Sequence, residues 1–134
     1  MKMLKVLFNK LIRDRMPEVA AQRDGAVIHC KTLNDEEYDS ALRAKIVEEA
    51  LEVAATTSKQ ELIEELADLF EVIDALKIVH GISLQEIQAI QEAKRLERGG
   101  FANRTFAITG EFPEGSYGAQ YCREQPEKYP EIKD

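Results

Sequence analysis

The chain is poor in residues that mark several common protein classes. Among its 134 residues there is no tryptophan, and the two cysteines, Cys30 and Cys122, lie far apart and form no CxxC pair. This scarcity argues against a disulfide framework and against a zinc site. We therefore expect two free thiols and a reducing, cytoplasmic environment.

Long apolar runs and an excess of positive charge are also lacking. The first eight residues are basic and apolar, but Lys5 and then Lys10 interrupt the apolar pattern, so we expect no signal peptide. No uninterrupted apolar stretch approaches the roughly 20 residues that cross a bilayer, which predicts a soluble protein without a membrane partner. The formal charge of −7, from 25 acidic and 18 basic residues, disfavours a polynucleotide partner.

Proline is absent between residues 35 and 98, and glycine occurs there only once, as Gly81. Apolar residues recur at helical spacing over the same stretch, which predicts three helices. The expected helices cover residues 35–57, 59–80 and 83–98. Ser83 and Glu86 form a capping-box pair at the start of the third helix. The short link near Thr57 predicts that the first two helices pack antiparallel.

The flanking segments indicate more varied structure. A helix is predicted for residues 17–22, and β-like segments are predicted for residues 26–30 and 101–108. From about residue 110 the chain is rich in glycine, proline, tyrosine and charge, which predicts an irregular tail. With 44% hydrophobic residues the chain can form a core. We expect residues 1–134 to form one domain of mainly α structure.

Carboxylates are concentrated on the first two predicted helices. Glu49 and Glu52 project from one face of the first helix, although an adjoining apolar stripe leaves a solvated, purely structural role open. Glu65 and Asp68 share a stripe of the second helix that becomes apolar further along. Since that helix is apolar on nearly every side, we expect these two carboxylates to face a neighbouring helix.

Buried or half-buried carboxylates are costly unless they are neutralised, and one divalent cation can neutralise several of them. An all-oxygen ligand set suits Mg²⁺ or Mn²⁺. A di-iron bundle would need Glu-x-x-His pairs, which the two histidines, His29 and His80, do not form. The sequence therefore favours a magnesium site and, with it, phosphoanhydride hydrolysis.

Four segments, in this order and at these spacings, resemble the MazG-like NTP pyrophosphatases. They are NKLIRDRMPE at 9–18, EEALE at 48–52, ELAD at 65–68 and ERGGF at 97–101. The first and last segments are similar to a branch described as phosphoribosyl-ATP pyrophosphohydrolase-like or as house-cleaning NTP pyrophosphatases. The similarity covers about residues 8 to 108 and ends before the tail.

This resemblance implies an all-α helical bundle completed by oligomerisation, as a homodimer or a higher homo-oligomer. It implies a nucleoside triphosphate substrate, which is converted to the monophosphate and pyrophosphate. The implied magnesium ligands are Glu49, Glu52, Glu65 and Asp68. Glu48 either assists the attacking water or a second metal, or is only a surface residue. Lys10, Arg13 and Arg98 are expected to bind substrate phosphates, with surface pairing to glutamates as the alternative.

Two other functions remain open at this point. Hydrolysis of phosphoribosyl-ATP would use the same helices and metal and would differ only in what the pocket accepts. A non-catalytic, dimeric helical interaction module would use its acidic residues only for solubility. This second alternative predicts that thermal stability does not respond to Mg²⁺.

Overall fold

The computed structural model describes residues 2–133, which contain helices and no β-strand. The helices are α1 (Met16–Asp24), α2 (Asp35–Ala54), α3 (Lys59–Val79), α4 (Leu84–Arg98) and α5 (Tyr117–Arg123). None of the helices described has the length and apolar character needed to span a bilayer. The chain divides after Ala93 into two compact units. The predicted mainly α architecture is confirmed.

Local capping interactions determine where α2 and α3 begin. The Asn34 side chain accepts a hydrogen bond from the Glu37 amide at 2.8 Å, and the Glu37 carboxylate accepts one from the Asn34 amide at 3.2 Å. The Ser58 hydroxyl accepts a hydrogen bond from the Glu61 amide at 3.1 Å and so caps α3. Each contact satisfies an amide that would otherwise lack a partner in the first turn.

The two long helices form an antiparallel hairpin, as the short link predicts. Asp39, near the start of α2, contacts His80, which caps the end of α3. Towards the other end of the hairpin, Glu49 of α2 lies close to Asp68 of α3. The start of α2 therefore lies beside the end of α3, and this antiparallel pairing brings together the carboxylates of the two helices.

The core of the first unit is small. Leu42 of α2 and Val72 of α3 are buried, with 3% and 9% of their surface exposed, and Ala20 of α1 is also buried. Many larger apolar side chains on α2 and α3 remain exposed, among them Leu51 and Phe70. The α2–α3 hairpin consequently carries apolar surface that stays exposed within the described residues 2–133.

The ends of α1 and the start of α4 lie at residues that are typical of helix termini. Pro17 lies in the first turn of α1, and Gly25 ends that helix with a φ of +67°, a conformation in which side chains with a Cβ are strained. The predicted capping box of α4 is present: the Ser83 hydroxyl accepts from the Glu86 amide at 3.1 Å, and the Glu86 carboxylate accepts from the Ser83 amide at 2.7 Å.

The two predicted β-like segments are wrong. Residues 26–30 and 101–108 are irregular, and no β-strand occurs anywhere in residues 2–133. A strand is stable only when its backbone amides and carbonyls pair with a neighbouring strand. The apolar and β-branched residues of these two segments are compatible with strands, but neither segment pairs with a neighbouring strand within residues 2–133.

The second unit contains a helix where the sequence predicts only irregular structure. Helix α5 begins after Ser116, whose hydroxyl accepts a hydrogen bond from the Ala119 amide at 3.2 Å. Arg123 at its end binds both carboxylate oxygens of Glu114, which ties the helix to the preceding loop. These contacts order part of a segment whose composition indicates flexibility.

Candidate functional site

Three of the four predicted metal ligands converge between α2 and α3. One carboxylate oxygen each from Glu49, Glu65 and Asp68 lies within 4.8 Å of the others. Glu65 and Asp68 are three residues apart on α3 and therefore project from the same face. Glu49 is buried, with 8% of its surface exposed, while the other two residues are half-buried. We call these three residues the carboxylate group.

The fourth predicted ligand, Glu52, lies outside the carboxylate group. Its side chain is exposed and lines an open hollow of about 120 Å³, together with Glu65 and with Ala55, Thr56 and Glu61. Glu52 follows Glu49 by one helical turn, so it extends the acidic surface from the carboxylate group towards the end of α2. The structure therefore places Glu52 beside the group, on the wall of the hollow.

The carboxylates of the site repel one another. Loss of contact with water raises the pKa of the Glu65 carboxyl, and the negative charges of Asp68, Glu52 and Glu49 raise it further. Among residues 2–133, no cationic side chain comes within ion-pair distance of Glu65. A divalent cation would relieve this repulsion, because it would neutralise several of the charges at once.

Two of the predicted phosphate-binding cations contact the acidic residues directly. The Lys10 ammonium lies 2.7 Å from the Glu48 carboxylate of α2, and the Arg13 guanidinium lies 2.7 Å from the Asp68 carboxylate of α3. Both cations come from the irregular segment that precedes α1. The alternative foreseen from sequence, pairing with acidic side chains, is thus present, and the partners belong to the predicted site itself.

Lys45 is a further residue of the site that the sequence analysis did not single out. Its ammonium lies 3.1 Å from Glu48 and 3.5 Å from Glu49, and only 17% of its side chain is exposed. Its position three and four residues before these glutamates on α2 is the spacing that permits such pairs. That spacing could have identified Lys45, but a lysine on a helix is usually a solvated residue.

Glu48 is held by two cations. Its hydrogen bond from Lys10 lowers the pKa of the Glu48 carboxyl below its usual value, and Lys45 lowers it further. The carboxylate therefore stays ionised and is a poor proton acceptor near neutral pH.

Arg98, the third predicted phosphate-binding residue, is the last residue of α4 and belongs to the second unit. Its side chain is exposed, and no ion pair involves it within the described part of the chain. Its proposed contact with substrate stays a prediction.

The family model of the phosphoribosyl-ATP pyrophosphohydrolases matches residues 8–95, which is more than half of the chain. The chain belongs to this family. The matched region includes the carboxylate group and all three cations that contact it or its neighbour Glu48. No curated protein and no solved structure matches the chain significantly.

This membership confirms the resemblance to the MazG-like, all-α NTP pyrophosphatase superfamily, which contains the family. It also makes the chain a pyrophosphohydrolase, a hydrolase that acts on phosphoanhydride bonds. Enzymes of the family are usually metal-dependent, and the carboxylate group offers a set of oxygen ligands that could bind a metal.

Proposed function

We propose that this pyrophosphohydrolase uses Mg²⁺ to hydrolyse a nucleoside triphosphate to the monophosphate and pyrophosphate, as part of nucleotide-pool house-cleaning. The observation that carries the proposal is the convergence of Glu49, Glu65 and Asp68 within 4.8 Å in a chain of this family. Three carboxylates this close repel one another, and a bound divalent cation would relieve the repulsion. The relief would add to the affinity of the site for the cation.

The ligand chemistry supports Mg²⁺, with Mn²⁺ as a substitute. All three donors are carboxylate oxygens, and histidine and thiol ligands are lacking from the group. Few protein ligands leave coordination positions for substrate phosphates. When bound, Mg²⁺ supplies neutralisation of charge on the phosphate oxygens and activation of the attacking water. Glu52, on the adjacent hollow, is proposed as the fourth ligand.

The remaining site residues have distinct proposed roles. Glu48, which stays ionised between Lys10 and Lys45, orients the attacking water or positions Lys10. Lys10 and Arg13 bind the phosphates of the substrate, where a guanidinium can form two parallel hydrogen bonds. Arg98 is proposed to contribute a further positive charge to substrate binding.

A second candidate substrate is phosphoribosyl-ATP, which is favoured by the match to the family of that name. Both candidates carry a triphosphate and lose pyrophosphate by hydrolysis of the same kind of phosphoanhydride bond. The carboxylate group and the cations near it serve either substrate equally, since they act on phosphates and on a metal. Recognition of the base and sugar must come from other surfaces.

A homodimer or higher homo-oligomer is proposed as the active form. The support comes from apolar side chains that stay exposed on the α2–α3 hairpin, including Leu51 at 65%, Phe70 at 64% and Ile78 at 80%. Such surface is unusual on a monomer and is typical of an interface. Light scattering coupled to size-exclusion chromatography tests this proposal, and a monomer at micromolar concentration would contradict it.

The decisive experiment is a substrate panel with matched variants. The purified protein is incubated with Mg²⁺ and with canonical triphosphates, modified triphosphates or phosphoribosyl-ATP, and pyrophosphate and monophosphate are quantified. The test variant is Glu65→Gln, and the control is Glu64→Gln. Glu64 is the adjacent, exposed residue of α3, and its carboxylate accepts a hydrogen bond from the Gln60 side-chain amide at 3.3 Å.

We expect Glu65→Gln to lose turnover by at least about a hundredfold, because removing a metal ligand or its oriented charge commonly has this effect. Glu64→Gln should retain parental activity. Equal loss in both variants would point to a nonspecific charge effect and contradict the proposed site. Absence of turnover on every nucleotide, with a melting temperature insensitive to Mg²⁺, would instead overturn the proposed substrates and the proposed metal.

A further inference from the structure

The segment before α1 bridges the two helices that carry the carboxylates. We call residues 9–13 the strap. Lys10 binds Glu48 of α2 and Arg13 binds Asp68 of α3, each at 2.7 Å, and between them the side chains of Leu11 and Ile12 are half-buried. The middle of the strap is therefore partly shielded from water, while Lys10 and Arg13 on either side of it make ion pairs with the two helices.

Arg13 differs from the other cations in what it contacts and in how firmly it is held. Its partner Asp68 is a member of the carboxylate group, whereas the ion-pair partner of Lys10 is Glu48, which lies outside the group. Lys45 lies on the same helix as its partners and is largely buried. Arg13 comes from a separate segment, and 56% of its side chain is exposed. Exposed ion pairs of this kind contribute little and are readily exchanged.

A guanidinium at Asp68 disfavours a divalent cation in the carboxylate group. A dication among Glu49, Glu65 and Asp68 would lie within a few ångströms of the Arg13 guanidinium, which would repel it. Meanwhile, the phosphates of a bound nucleotide would offer Arg13 a partner of higher charge and matching geometry. The metal and the phosphates therefore both favour release of Arg13 from Asp68.

We propose that Arg13 is a built-in competitor of the metal, which occupies Asp68 until a divalent cation displaces it and the strap transfers its guanidinium to the substrate phosphates. This inference rests on the proposed function and adds a regulation to the same site. Because Arg13 leaves Asp68 in both binding events, metal and nucleotide each strengthen binding of the other.

The test is the affinity for Mg²⁺ alone, measured by isothermal titration calorimetry on the full chain without nucleotide. Arg13→Gln removes the competitor, so we expect it to bind Mg²⁺ about three to ten times more tightly than the parent. The matched control is Arg15→Gln, two residues away, because Arg15 is 81% exposed and pairs with Glu18 at 3.5 Å, outside the carboxylate group. This control should stay within about twofold of the parent.

Two further measurements separate exchange of Arg13 from a structural role. In the parent, the NMR signal of the Arg13 Nε–H group should shift when Mg²⁺ is added, whereas that of Arg15 should not. Arg13→Gln should also require less Mg²⁺ for half-maximal activity and yet show a raised KM for nucleotide. An anchor that only held the strap in place would not produce these opposite changes.

The outcomes distinguish this inference from the proposed function. Unchanged or weaker Mg²⁺ binding in Arg13→Gln, or equal tightening in Arg15→Gln, would overturn the competition while leaving the metal site intact. A parent that binds no Mg²⁺ would overturn both proposals. If Arg13→Gln is unstable, Arg13→Lys, which keeps the charge but not the planar guanidinium, should bind Mg²⁺ more tightly than the parent. Parental affinity in Arg13→Lys, together with an unmoved Nε–H signal of Arg13 in the parent, would refute the exchange.

Discussion

Replacement of Asp68 by asparagine should stabilise the metal-free protein while abolishing its response to Mg²⁺. Asp68 contributes one favourable contact, the ion pair with Arg13 at 2.7 Å, and unfavourable contacts with Glu49 and Glu65 within 4.8 Å. The side chain of Asp68 is 42% exposed, so the ion pair is worth about 0 to 1 kcal/mol. The asparagine side chain has nearly the same size, so packing should change little.

The repulsive contacts outweigh the attractive one. Two negative charges 4.8 Å apart repel by about 0.9 kcal/mol even at the dielectric constant of water, and by more near a protein surface. The repulsion between Asp68 and Glu49 alone therefore offsets the lost ion pair. Because Glu65 adds a second repulsion, the net change should be stabilising, by about 0.5 to 1 kcal/mol. This corresponds to a rise in melting temperature of about 2 to 5 °C.

The assay is thermal unfolding with a chelator and again with saturating Mg²⁺. The parent should gain about 2.7 kcal/mol at a Mg²⁺ concentration one hundred times its Kd, whereas Asp68→Asn should gain little. Asp74→Asn is the control, since Asp74 lies on the same helix and pairs with Lys77 at 3.4 Å but is not in the carboxylate group. A lower melting temperature for Asp68→Asn in chelator, or a Mg²⁺ response equal to that of the parent, would refute the reasoning.

Three other predictions concern stability and pH. Leu42→Ala should cost about 2 to 3 kcal/mol in denaturant unfolding, because Leu42 is 3% exposed in a small core, whereas Val47→Ala, at a position 60% exposed, should cost less than about 0.5 kcal/mol. Ser58→Ala removes the cap of α3 and should cost about 1 kcal/mol, with faster amide exchange in the first turn of that helix. Arg123 lowers the pKa of the Glu114 carboxyl below 4.5, so this contact stabilises the fold above about pH 4.5 and is lost as the pH falls through the lowered pKa. An NMR titration of Glu114 should therefore give a midpoint below 4.5 in the parent and near 4.5 in Arg123→Gln, and identical midpoints would contradict the pairing.

Helix positions were largely predictable because their signals are local. The Ser83 and Glu86 pair lies within one turn, and it marks the start of α4 in both sequence and structure. The end of α2 was predicted at residue 57 but falls at Ala54. The Thr57 amide donates instead to the Glu61 carboxylate at 3.0 Å, in the turn that opens α3, so the competing cap of the next helix shortens α2.

Elements that depend on partners were predicted less well. The residues at 26–30 and 101–108 suit strands, but a strand exists only where another strand supplies hydrogen bonds, and local composition cannot reveal such a partner. In the tail, α5 is held by the contact of Arg123 with Glu114 nine residues earlier, which composition likewise does not show.

The sequence by itself indicated helices α1 to α4 and singled out the acidic residues of the candidate site, because helical periodicity and the order of four short segments are properties of the chain. Only the tertiary structure decided that Glu49, Glu65 and Asp68 converge while Glu52 lies beside them. It also decided that Arg13 contacts Asp68, 55 residues away. Burial and ion pairing depend on which segments meet in space, and that choice is made by packing of the whole α2–α3 hairpin with the strap.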